Sequence, residues 1–287
     1  MTLREAIEAA AREKRAIGHF NISDLVTLRA IAWAAKETGQ PVMIGTSEGE
    51  RAFLGTRLAA TAVRAIREEM RIPIYLNADH THSAEKAEEA VRAGYDEILF
   101  DAGKLPYAEN VRLTREVADA ARAINPNVLV EGELGYIGSS SEILDRLPAG
   151  AAQKPDELTQ PEEAAQFVRK TGVDLLAPAV GNLHGMLRGG NPRLDIERIR
   201  LIRAASGVPL VLHGGSGIAD ADFEAAIEAG VAVIHLNTEV RKLWRDRLEI
   251  SLRENAAEVA PYKILAPVEE ALKRKIAARL RLFAGQG

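Results

Sequence analysis

Eight times along the chain a short apolar run, introduced by Gly, Pro or a charged residue, stops at a polar side chain and hands over to an amphipathic segment. The runs are 16–21, 41–47, 73–80, 97–101, 128–133, 174–181, 208–213 and 231–235. Strands that are apolar along their whole length and alternate with helices predict a parallel sheet covered by helices. Eight such units predict a closed barrel. The expected fold is therefore α/β, a single (β/α)8 (TIM) barrel, and 287 residues suit a fold that typically takes ~250. The expected domain is one barrel over residues 1–287.

Helix signals agree with that period. Ser23 is placed to cap a helix carrying Leu25, Leu28, Ile31 and Ala35 that ends before Gly39, and Ser83 to cap one that stops at Gly94. An extra C-terminal helix is expected over 268–283. Its apolar face holds Leu272, Ile276, Leu280 and Phe283; its basic face, with Lys273, Arg274, Lys275, Arg279 and Arg281, reads as the solvated face of a helix docked to the barrel or to a second subunit, with a phosphate-binding role for one arginine as the alternative. The longest interval between strands, Ser139 to Gln160, is polar and lies on the strand-end face. It reads as a lid over about 139–160, with a tolerated insertion as the alternative.

Composition removes several classes of function. Cys is absent, so disulfides, thiolate zinc sites and Cys nucleophiles are excluded. A net charge of -4 without basic runs interleaved with aromatics gives no nucleic-acid signal. No segment approaches the ~20 apolar residues of a membrane span, and the Met1–Glu5 start has no apolar signal core. A cytoplasmic chain without nucleic-acid or membrane partners is expected.

The chemistry sits at the strand ends. Of six histidines, His80, His184 and His213 end or follow three different strands, and a barrel brings such ends to one rim. Neutral imidazoles suit zinc, and three protein ligands leave a position open for substrate. No local zinc motif is present, so this expectation rests on barrel geometry. Asp79 stands beside His80 as a candidate base. A Schiff-base route would need a strand-end lysine, and Lys104 is the sole candidate. Gly214-Gly215-Ser216-Gly217 follows the seventh strand and Asn237-Thr238-Glu239 the eighth, the two loops with which barrels frequently hold phosphate.

Taken together, Ala78-Asp79-His80, Asp101 through Asn110, Glu131-Gly132-Glu133-Leu134-Gly135, Gly181-Asn182-Leu183-His184-Gly185, His213 through Gly217 and Pro261-Tyr262-Lys263-Ile264-Leu265 resemble the class II, metal-dependent ketose-bisphosphate aldolases of the fructose or tagatose kind. The likeness runs in order from about residue 3 to the end. It implies aldol cleavage or condensation of a phosphorylated ketose, giving dihydroxyacetone phosphate and an aldehyde. It implies catalytic zinc (Zn2+) on His80, His184 and His213, with Asp101 and Glu133 at an alternative or second metal position, and allows a monovalent cation. Asp79 would be the acid/base at the C4 oxygen. Gly185, Gly214, Gly215, Ser216, Asn237 and Thr238 would hold the dihydroxyacetone-phosphate end, with Asn21 and Ser47 near the substrate. A homodimer or homotetramer is expected.

The chain departs from the family around the substrate. The lysine and asparagine of the eighth strand are Val233 and His235, the usual lid glutamate is missing with Glu142 as a shifted candidate, and the Asp-Gly-Ser-His segment reads Asp101-Ala102-Gly103-Lys104. His235 is read as a substrate contact or as a packing residue. Three alternatives stay open: a related class II aldolase with an altered substrate, a non-catalytic sugar-phosphate-binding barrel, and a metal-dependent hydrolase.

Overall fold

A computed structural model describes residues 1–138 and 141–286. Eight parallel strands close a barrel: β1 (Ile17–Asn21), β2 (Val42–Thr46), β3 (Ile74–Thr81), β4 (Glu97–Phe100), β5 (Leu129–Leu134), β7 (Leu175–Pro178), β9 (Leu210–Leu212) and β10 (Val231–Leu236). Two further short strands, β6 (Ile143–Leu144) and β8 (Met186–Leu187), pair with each other above the rim. All eight barrel runs expected from sequence are strands, with ends differing by a few residues.

Side-chain alternation divides the strands' residues between two cores. Phe20, Ile44, Leu76, Ala78, Ile98, Val130 and Leu212 face outward and pack under the helices in the larger apolar cluster. Ile17, Met43, Tyr75, Leu129, Leu175, Val211 and Val233 face inward and fill the lower half of the barrel. The helix Leu3–Arg12 plugs that end with Leu3, Ala6, Ile7 and Ala10, and its start is fixed by a capping box between Thr2 and Glu5. The ionisable side chains inside the barrel thereby lie above this apolar plug, on the side of the carboxyl-end rim.

Two helix boundaries differ from the sequence expectation. Asp24, not Ser23, caps the helix Leu25–Thr38, accepting from Thr27 N–H, because a carboxylate two bonds from the backbone takes the N3 amide in this geometry. The last helix begins at Pro261 rather than Val268 and runs to Phe283 through Pro267. An interior proline removes one helical bond, but burial of Val268, Leu272, Ile276 and Leu280 outweighs that loss. Ser83 caps as expected, and the left-handed Gly39 and Gly94 end their helices. The basic face of the last helix is paired: Lys273 and Arg281 reach Glu37, Arg274 reaches Glu270, and Arg279 turns inward onto Glu239 and Asp220.

The insert between β5 and the helix Pro161–Thr171 is tied down at several points. Ala152, Leu158, Ile137 and Ala179 form a small apolar cluster, and Ala152 N–H donates to the Tyr136 carbonyl. Of the expected lid, Ser139 and Ser140 lie outside the described residues. No helix among the described residues is long and apolar enough to cross a membrane.

Candidate functional site

Strict alternation along β3 would send Asp79 into the barrel and His80 outward to the helices. The strand avoids this by a break in its pairing with β4 between Ala78 and Thr81, and by a left-handed backbone at His80 with φ 41°. A non-glycine residue in that region is held there at a cost of ~1–2 kcal/mol. The turn is clamped from behind by buried Arg51, which donates to the carbonyls of Thr46 and Asp79 and to Thr81 Oγ1. Asp79 and His80 therefore face one cavity together.

His184, on the loop after β7, and His213, just past β9, complete the trio. Ring centroids lie 4.7 Å apart for His80–His184, 5.1 Å for His80–His213 and 5.7 Å for His184–His213. Hydrogen bonds decide which nitrogens are left bare. His80 Nδ1 donates to Asp101 Oδ2 at 2.9 Å, and His184 Nδ1 to the Gly138 carbonyl at 2.7 Å. His213 Nε2 donates to Glu131 Oε1 at 2.8 Å, leaving buried Nδ1 without a hydrogen bond. The outer partner thus selects the donor atom of each ring, as around metal-bound histidines.

The trio's donor atoms fall within 4.8 Å of one another, and bonds of ~2.0–2.1 Å to one ion would need only small side-chain shifts. The surroundings favour positive charge at that point. Burial disfavours a charged His80, yet Asp79, Asp101 and Glu133 overcome it and hold its pKa up to about 10. Burial and the neighbouring Asp101 raise Glu133 well above the carboxylate range. Three imidazole nitrogens facing three carboxyl groups fit a zinc-class dication, which would take the place of the proton held on His80. His80, Asp101 and Glu133 form an adjoining donor group, where an alternative or second ion was expected. A third group, His19, Asp79 and His235, does not suit a shared ion: the two rings are stacked 3.5 Å apart at 5°, so their in-plane lone pairs run parallel instead of converging.

The cavity over the trio holds about 570 Å³. Asn21, Ser47, Asp79, His80, Asp101, His184, Gly185, Gly214, Ser216, His235, Asn237 and Thr238, all expected from sequence, line it. His213, Glu133 and Gly215 lie directly behind. Gly215 N–H donates to the His235 carbonyl. Gly214 has φ 62°, and a Cβ there would stand 2.0 Å from the Leu183 carbonyl oxygen, so the loop after β9 tolerates only glycine at this point. Glu142 is exposed and not among the lining residues; its carbonyl accepts from Met186 N–H in the β6–β8 ribbon. His235 is neither free in the cavity nor simply packed: it is 6% exposed, with Nδ1 3.5 Å from Asp79 Oδ1.

Asp79 is buried and its two oxygens differ. Oδ2 accepts from Asn21 Nδ2 at 2.8 Å, whereas Oδ1 has no hydrogen bond and faces His80 and His235. Burial opposes its charge, but His80 and His235 hold its pKa well below the usual carboxylate range. Asn21 also donates to Glu50, which is paired with Arg241 at the cavity wall. Glu50, Arg241, Arg51, Asn77, Glu97 and Glu131 are missed by the sequence reading. The signal was present for two of them, since Glu97 opens and Glu131 interrupts an otherwise apolar strand.

A closed barrel with an imidazole trio, a buried carboxylate and glycine loops on one rim has the donor set that a metal-dependent enzyme would need. Comparison with known proteins agrees. The family model for class II fructose-bisphosphate aldolase matches residues 1–287. The fructose-bisphosphate aldolase of Geobacillus stearothermophilus is 34% identical over 290 residues, covering 100% of this chain and 98% of that protein. The fructose-bisphosphate aldolase of Staphylococcus epidermidis is 33% identical, covering 99% and 96%. The crystal structure of the YdjI aldolase from Escherichia coli K12 superposes with a TM-score of 0.82 at 29% identity, covering 100% of this chain and 98% of that one. The chain belongs to the class II fructose-bisphosphate aldolase family. It is an aldolase, a lyase acting on carbon–carbon bonds.

Proposed function

We propose that the chain cleaves and forms a phosphorylated ketose of the fructose-1,6-bisphosphate type, with dihydroxyacetone phosphate and an aldehyde as the other side of the reaction. The observation that carries this reading is the meeting of three bare imidazole nitrogens with the unbonded Oδ1 of Asp79 at one cavity wall. His80, His184 and His213 hold the metal, and Asp101 and Glu133 offer its alternative position. A bound zinc-class ion supplies Lewis-acid polarisation of the ketone and offsets charge developing beside it. Asp79 Oδ1 takes the C4 hydroxyl proton during cleavage and returns it during condensation, while Asn21 keeps Oδ2 fixed. Gly185, Gly214, Ser216, Asn237 and Thr238 hold the phosphate of the dihydroxyacetone end. Loop amides and hydroxyls at a helix start favour an anion there. Ser47 borders the same cavity, and Glu142 takes no part in this reading.

The cavity volume suits a ligand of sugar-bisphosphate size. A dimer or tetramer working in the cytoplasm belongs to the same proposal, and exposed Phe53, Leu58, Val259 and Tyr262 supply apolar surface for subunit contact. A second reading, an aldolase of this class with an altered ketose, is favoured by His235 standing over Asp79 where the family places an asparagine.

The test is metal analysis of the purified protein and its single His→Ala variants, with a screen of ketose mono- and bisphosphates for dihydroxyacetone phosphate release. Metal and activity should vanish together in each variant. Stoichiometric zinc after replacement of two of the three histidines would refute the ligand set. Turnover of a different ketose, with none of fructose or tagatose bisphosphate, would favour the second reading.

A further inference from the structure

Joined to the metal trio through His213, six side chains from strands β1, β3, β4, β5 and β10 and from the end of β9 form a polar belt around the barrel interior. His19 Nε2 donates to Asn77 Oδ1 at 3.1 Å, and Asn77 Nδ2 donates to Glu97 Oε2 at 2.9 Å. Glu97 neighbours Glu131 from the adjacent strand, and Glu131 Oε1 accepts from His213 Nε2. The belt returns to its start through ring faces. His213 lies 4.2 Å from His235 at 19°, and His235 lies 3.5 Å from His19 at 5°. Three imidazoles thus stack in a row across adjacent strands, His19 and His235 being register partners. The chain leaves room for this at Gly45, where a Cβ would come within 2.2 Å of His19 Cε1.

His19 is 0% exposed and is not among the cavity-lining residues, so it cannot touch substrate. Its ring lies within 4.8 Å of an Asp79 carboxylate oxygen without a hydrogen bond to it, and its closest contact on that side is the face of His235, whose Nδ1 looks at the unbonded oxygen of Asp79. We infer that His19 is a positioning residue: through His235 it fixes the Asp79 carboxylate relative to His213, so that proton acceptor and metal seat share one rigid frame. The inference rests on the reading of Asp79 as the acid/base.

Three variants separate the components. His19→Phe keeps a flat ring and loses the bond to Asn77, His19→Gln keeps a donor for Asn77 and loses the ring, and His19→Ala loses both. Zinc content, KM and kcat for ketose-bisphosphate cleavage are measured beside exchange of the dihydroxyacetone-phosphate C3 proton, which needs no C4 base. The expected result is a kcat for cleavage about 10–100-fold lower in His19→Gln and His19→Ala, the size usual for residues that orient a site from behind. Zinc content, KM and proton exchange stay near wild type, and His19→Phe recovers most of the rate. Independently of turnover, imidazole 15N shifts should show His235 protonated at Nδ1 in the wild type and a tautomer mixture in His19→Ala. Cleavage within about twofold of wild type in His19→Ala overturns the inference, as does parallel loss of cleavage, exchange and zinc, which marks general loosening. If the wild type cleaves no ketose phosphate, the functional reading itself fails and takes this role of His19 with it. Wild-type cleavage with indifferent variants sinks the inference alone.

Discussion

Replacing Arg279 by Met tests whether the last helix is bolted to the phosphate-side loop through a buried charge. Arg279 is 9% exposed, with Nε and Nη2 each 2.9 Å from the carboxylate of Glu239 and Nη1 2.5 Å from Asp220. Asp220 is largely exposed and loses little without its partner. Glu239 has only 9% of its side chain exposed, so the variant strands a buried carboxylate. Breaking a buried pair from one side costs ~3–5 kcal/mol. Lys275, 3.7 Å from Glu239, stays and offsets part of this, which places the expected loss near ~3 kcal/mol. At ~2–4 °C per kcal/mol for chains of roughly this size, thermal unfolding should shift down by about 6–12 °C. Scanning calorimetry on Arg279→Met, Glu239→Gln and the double variant reads it, and the double variant should recover most of the loss. Glu239 N–H also donates to Ser216 Oγ, so KM for the phosphorylated ketose should rise in Arg279→Met. A shift under about 2 °C would refute the argument, showing that water reaches Glu239 once the guanidinium is gone.

Asp79→Ala should keep its zinc and lose C–C cleavage by about 10²–10⁴-fold, with C3-proton exchange of dihydroxyacetone phosphate surviving better, as read by NMR in deuterated water. Equal loss of both reactions would give Asp79 a broader role. His235→Asn should raise turnover of fructose or tagatose bisphosphate relative to the native ketose, measured as kcat/KM ratios. Unchanged preference and an unchanged pH profile would show that His235 does not set the choice of ketose.

The strands, the barrel and the trio were legible because each leaves a local mark: apolar runs bounded by punctuation, with rare histidines at their ends. What could not be read locally was set by the third dimension. Asp101 was assigned to a metal position, but that it also fixes the His80 tautomer depends on β3 and β4 lying side by side. Glu97 and Glu131 looked like strand residues, and the pairing of β4 with β5 brings them together as buried neighbours inside the barrel. In that pair, burial raises both carboxyl groups, Glu97 to about 8. Arg279 read as part of a solvated basic face, since periodicity places a residue on a helix face and says nothing of what that face meets. Glu50 and Arg241 stand 191 residues apart and meet through barrel closure alone.

The backbone at His80 supplies the last expectation. A metal ligand in a left-handed conformation stores strain, and a neighbour has to hold it there. Arg51 is that neighbour: one guanidinium reaches the Thr46 carbonyl on β2, the Asp79 carbonyl immediately before His80 and Thr81 Oγ1 immediately after it. No carboxylate lies among these hydrogen-bond partners, so the buried cation is spent on backbone shape. Arg51→Leu leaves two carbonyls short of a donor, at ~1–3 kcal/mol each, so unfolding stability should fall by roughly 2–6 kcal/mol. If Arg51 acted on stability alone, zinc binding would be untouched. Because it grips both residues flanking His80, the ring should swing away from His184 and His213, and zinc affinity should fall about 10–100-fold, read by chelator competition. Arg51→Lys should behave like the leucine variant, since a single ammonium cannot span three acceptors in the geometry of a planar fork. A protein that loses stability but binds zinc as tightly as wild type would show that β3 holds His80 in place without the clamp.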